Sequence, residues 1–91
     1  MNDPILYLSE KDIPKNKIIV RTFDPISSMT SGPGGNAMIE EAHDFLKEQI
    51  VFNSGAYNAA IIRYVNLVTS DNINFEYYAL ATPVFLDDKP E

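Results

Sequence analysis

Asn53-Ser54-Gly55-Ala56-Tyr57-Asn58-Ala59-Ala60-Ile61-Ile62-Arg63-Tyr64 ends one element and begins the next, and its reading decides the fold. Upstream, Met38, Ile39, Ala42, Phe45, Leu46 and Ile50 recur at three- and four-residue steps, which predicts a one-faced amphipathic helix from about Ala37 to Phe52. Asn36 is the expected N-cap, and Glu40 and Glu41 place negative charge toward the positive end of the helix dipole. Gly55 is the expected stop, since glycine enters the left-handed region without steric cost. The small residues Ala56, Ala59 and Ala60 let the following segment pass closely beneath the helix. Ile61, Ile62, Tyr64, Val65, Leu67 and Val68 then predict a strand over Ala59 to Val68.

Outward from this corner, Thr69-Ser70-Asp71-Asn72 has the chemistry of a turn. A longer strand is expected from Asn74 to Leu86, with Phe75, Tyr77, Ala79 and Ala81 on one face. Glu76, Tyr78, Leu80, Thr82 and Val84 form the other. Pro83 cannot donate to a ladder, so it implies an edge or a bulge. Toward the N-terminus, the β-branched run Lys17 to Phe23, closed by Asp24-Pro25, predicts a first core strand. Ser27 to Asn36 holds three glycines, a proline and several hydroxyl residues, and reads as an irregular loop. Residues 1–16 read as an N-terminal arm, in which Ile5-Leu6-Tyr7-Leu8 is an edge strand or packs on a neighbour. Residues 87–91 read as a flexible acidic tail.

These elements give an α+β fold of order βαββ over residues 17–86. One amphipathic helix packs on a small, mostly antiparallel sheet of three to four strands. Two strands are apolar on both faces, and one helix covers only one of them. The other face is exposed or buried against further copies, which favours a homo-oligomer.

Composition narrows the function classes. The chain has 91 residues, 45 % hydrophobic and 22 % charged, the make-up of one folded domain rather than a disordered segment. It has no cysteine, which removes disulfides, thiolate zinc sites and a cysteine nucleophile. A net charge of −6 with only seven Lys and Arg argues against nucleic acid and against anionic membrane surfaces as partners. No apolar run reaches the length of a membrane span, which is about 20 residues. Met1-Asn2-Asp3-Pro4 lacks a basic stretch followed by an apolar core, so no signal peptide is visible and a cytoplasmic location is expected.

Few residues offer chemistry. His43 is the only histidine, and a ligand role would need Glu40 or other carboxylates beside it; a histidine on the flank of the apolar stripe is the expected reading. Ser27, Ser28, Ser31 and Ser54 lie in no nucleophile elbow. Asp87, Asp88 and Glu91 form a solvated acidic end. No catalytic residue, metal ligand or cofactor is therefore assigned, and no enzymatic activity is expected. The loop Gly32, Gly34, Gly35 and Asn36 opens a helix and so is a candidate anion or small-ligand site, although it lacks the Lys-Ser/Thr ending of a phosphate loop. Tyr64, Tyr77, Tyr78 and Phe85 are the candidate contacts between copies, because aromatic side chains on strand faces bury large areas at interfaces.

Gly55 to Tyr64, together with Glu41-Ala42 and Phe45-Leu46 of the preceding helix, resembles the YbjQ-like proteins, small bacterial domains labelled as heavy-metal-binding. Gly34-Gly35 before the helix and Ala81-Thr82-Pro83-Val84 near the end fit the same layout. Tyr57, Ile62, Ala81 and Pro83 depart from the family pattern. The resemblance spans roughly Lys17 to Leu86 and implies a βαββ domain in a ring-like homo-oligomer, a pentamer. A weaker likeness is to the periplasmic YdgH-like stress proteins, which share the βαββ order. The expected function is that of a non-enzymatic self-associating module; the alternative is a small-ligand or anion-binding domain built on the glycine loop.

Overall fold

The spine of the molecule is strand β5, Phe75–Asp88, against which nearly everything else is laid. A computed structural model describes residues 5–53, 55–69 and 74–90. In chain order the elements are β1 (Ile5–Tyr7), a single 3-10 turn (Glu10–Asp12), β2 (Lys17–Thr22), β3 (Ile26–Gly32), α1 (Asn36–Phe52), β4 (Ala59–Thr69) and β5. One edge of β5 pairs antiparallel with β4 along its length. The other edge pairs with β3 over residues 75–81 and with β2 over residues 84–88, both antiparallel. β1 adds to β4 in parallel, Ile5 opposite Ala59. The result is an α+β fold, one helix on a mixed five-stranded sheet.

Two expectations about the sheet change. The segment expected as an irregular loop, Ser27 to Asn36, supplies a strand up to Gly32, and only Pro33-Gly34-Gly35 remains as a turn. The cause lies on the helix-facing side of β3. Ser28 and Thr30 point at α1, where their hydroxyls donate to the carbonyls of Ala42 (2.9 Å) and Met38 (3.0 Å). Small hydroxyl side chains here admit the helix closely and find acceptors in its carbonyls, so a polar segment joins the sheet with Ser28 buried. The second change is in strand number and sense. Ile5–Tyr7, read as an edge strand or a packing arm, takes the edge-strand form and pairs in parallel. The sheet therefore has five strands among the described residues and is mixed, not three to four and mostly antiparallel. Asp87 and Asp88, expected in a flexible tail, belong to β5 opposite Ile18 and Lys17.

Pro83 is fully buried in a central strand, where the ladder leaves a gap for it. On that edge β3 ends its pairing at Ala81 and β2 begins at Val84, so Pro83 faces the corner Phe23-Asp24-Pro25 between them. Its carbonyl accepts the Phe23 N–H (3.0 Å), and no partner there requires the N–H that proline lacks.

The helix buries Met38, Ala42, Leu46 and Ile50 against Ala60, Tyr77, Ala79 and Ala81 of the sheet and Tyr57 of the corner before β4. The alanines keep the two layers close. Phe45, expected in this stripe, lies on the flank beside β3 and is 45 % exposed. At the start, Gly35 takes the N-cap position and Asn36 opens the helix one residue later. At the end, helical geometry stops before Gly55: the Asn53 N–H and its side-chain amide both donate to the Gln49 carbonyl. Tyr57 closes this end, buried against Phe23 at 5.3 Å between ring centroids.

A second small core lies on the opposite face of the sheet, where Ala59, Ile61, Val84 and Leu86 are covered by Tyr7, Ile13 and Ile19. The chain between β1 and β2 thus folds over one end of the face that the helix leaves bare. Arg63 ties this cover down, donating to Glu10 (2.7 Å) and to the Thr82 hydroxyl (3.2 Å). Thr69 of the expected Thr69–Asn72 turn ends β4, and residues 70–72 of that turn and Ser54 lie outside the described residues.

Candidate functional site

Lateral placement determines which surface stays open. The helix packs on β3 and β5 rather than on β4, and the β1–β2 connection reaches β4 only as far as Arg63, which Glu10 holds. Along residues 62–69, among the described residues, no strand pairs with the outer edge, because β1 stops at Ile61. Tyr64 is 51 % exposed, and Val65, Leu67 and Val68 are about as open. Register with β5 sorts these side chains, with Val65 opposite Ala79 and Leu67 opposite Tyr77 on the helix side. Tyr64 opposite Leu80 and Val68 opposite Glu76 lie on the bare side. The strand is thus apolar on both faces along a free backbone edge.

The four aromatic residues expected at a contact between copies do not form one surface. Tyr64 and Tyr78 stand together on the bare face, ring centroids 6.2 Å apart. Tyr77 is buried beneath the helix, where its hydroxyl lies 3.1 Å from His43 Nε2. Phe85 sits at the opposite end of β5, opposite Arg21, and strand alternation turns it to the other face from Val84 and Leu86.

His43 is a partly buried partner of Tyr77. Burial, with Lys47 adding to it, holds the imidazole below its ordinary value of 6.5, against the opposing pull of Asp44. Burial likewise raises the Tyr77 phenol above its ordinary 10.0. Among the described residues no three His, Asp or Glu side chains are grouped to hold a metal ion. Ser28 is committed to the helix, and Ser27 and Ser31 lie on the bare side of β3.

The glycine loop borders a shallow hollow of about 250 Å³ between the start of α1 and the open end of β4 and β5. Gly34 and Gly35 take φ of 97° and 101°. The hollow is completed by Met38, Ile39, Leu67 and Phe75, with no basic side chain on its walls. The Phe75 ring presses on Gly34, where an added Cβ would come within 2.9 Å of it. The glycines thus make room for an aromatic side chain, and the setting is apolar rather than anion-attracting.

A larger groove of about 470 Å³ follows β3, whose outer edge has no strand partner among the described residues. Four consecutive β3 residues, Ser27 to Thr30, line it together with Tyr78 of β5 and with Glu41 and Phe45 of the helix. This groove was hidden in the sequence because the strand that makes it is written in serine and threonine. The alternation Ile26, Ser28, Thr30 was its one available signal.

No helix among the described residues is long and apolar enough to cross a membrane. No protein-family model matches the chain, and neither a curated protein nor a solved structure matches it.

Proposed function

We propose that this chain is a non-enzymatic, cytoplasmic self-associating module that joins further copies of itself through residues 62–69 of β4 and the bare sheet face beside them. The observation that carries this is the β4 edge itself. Half-exposed, Tyr64 and Val68 on one face and Val65 and Leu67 on the other flank that edge with apolar side chains. Strand edges in monomers are commonly blunted by lysine, proline or inward charges. Here the one charge from Ile62 to Thr69 is Arg63, which is engaged with Glu10. Tyr64 carries the apolar surface onto the bare face beside Tyr78. The likeness of the Gly55–Tyr64 corner to the YbjQ-like proteins supports the same reading, since that layout goes with a ring of copies.

Sedimentation equilibrium at micromolar concentration tests the proposal. A mass that is a multiple of one chain, with dissociation on dilution, is the expected result. One chain mass throughout the concentration range overturns it.

A further inference from the structure

We infer that the groove between β3 and α1 accepts an extended basic peptide, added as a strand to the outer edge of β3. This goes beyond self-association, because it uses the opposite edge of the sheet and a different occupant. β3 borders the groove with both of its faces at once: Ser27 and Met29 come from the bare side, Ser28 and Thr30 from the helix side. A groove lined by four consecutive residues of an edge strand runs along the backbone, so its N–H and C=O groups are the partners on offer. Two apolar side chains provide one seat on each face of the incoming strand, Met29 on the bare side and Phe45 on the helix side. Met29 is 66 % exposed and Phe45 45 % exposed, and neither has a covering element.

Charge selects the occupant. Beyond Glu41 the helix flank continues as a second hollow of about 420 Å³ carrying Glu40, Asp44 and Glu48, with no basic residue on its walls. Among the described residues none of these four carboxylates is in an ion pair. A second copy of a chain of net charge −6 would meet this rim with repulsion, whereas the β4 edge carries no acidic side chain from Ile62 to Thr69. The two open edges therefore suit different partners: β4 suits another copy, and β3 an extended segment with Lys or Arg spaced along it. Alternation lets such a segment send one set of side chains to the acidic helix flank and the other to the bare face.

The test uses the full chain, labelled with nitrogen-15, and an eight-residue peptide of alternating Lys and Val. Saturable amide shifts confined to residues 26–32 and to the flank from Glu40 to Glu48 are expected. A peptide with Glu in place of Lys is expected to leave these amides unmoved, and Lys-Val peptide methylated on alternate backbone nitrogens to lose binding. Glu41→Lys combined with Asp44→Lys, both on the exposed helix flank, is expected to weaken binding by about tenfold or more. Shifts centred on residues 62–69, equal binding of the Lys and Glu peptides, undiminished binding of the methylated peptide, or an unchanged affinity of the double variant would each overturn the inference. The chain's mass, followed in the same samples by sedimentation, reports on the β4 contact separately.

Discussion

At Gly34 the backbone and a neighbouring ring make the same demand. Its φ of 97° lies where side chains are strained, and the Phe75 ring occupies the space a Cβ would take. Gly34→Ala is expected to lower stability by about 1–3 kcal/mol, read as a shift in the urea midpoint. Gly35, with open space around it, has only the backbone reason to remain glycine. His43 carries a pH dependence of definite sign. Its folded-state value is depressed by burial, so below its ordinary 6.5 the unfolded chain binds a proton that the folded chain resists. The stability His43 supplies is therefore complete above that value and declines as pH falls below it. Thermal melts across this range should show a steeper acid-side loss for the native chain than for His43→Gln, with the difference vanishing at neutral pH. These roles were only half legible. Lone His43 was readable as a flank histidine, but Tyr77, thirty-four residues away in sequence, became its partner only through the packing of α1 on β5.

At the scale of elements, the helix is held by four residues spaced along one stripe, and Leu46 is wholly buried at its centre. Leu46→Ala is expected to cost about 2–5 kcal/mol, measured by chemical denaturation, because the alanines opposite it have no bulk with which to close the cavity. Helix α1 and strands β2, β4 and β5 were legible because their apolar periods are strong and local. β3 was not, since a run of serine, threonine and glycine satisfies the composition of a loop. Its extended form depends on two hydroxyls meeting carbonyls of a helix that follows it in the chain. The Pro83 signal was sound in its chemistry but not in its placement. The missing donor was accommodated at the junction of β2 and β3 rather than at the rim of the sheet.

For the whole molecule, the decisive fact is how unevenly one sheet is covered. The helix lies over β3 and β5, the β1–β2 connection crosses the other face near Ala59 and Ile61, and Tyr64, Val65, Leu67 and Val68 stay open beside both. If copies join there, Val65→Lys with Leu67→Lys should convert an assembled species to single chains by light scattering. The amide spectrum should stay folded, because both side chains are already about half exposed.

Sequence by itself determined the local architecture: an amphipathic helix, the small-residue corner after it, two long apolar strands, and an acidic chain with no thiol chemistry. Those follow from periodicity, glycine and alanine geometry, and composition, each readable within a few residues. Tertiary structure alone decided which edges and faces remain free. It placed Ile5–Tyr7 in parallel on β4, drew the Ser-Thr segment into the sheet, folded residues 8–16 over one end of the bare face, and sank Tyr77 while leaving Tyr64 half exposed. The physical reason is that exposure belongs to no residue alone. It is what remains once the helix and the crossing connection have taken their places on the sheet.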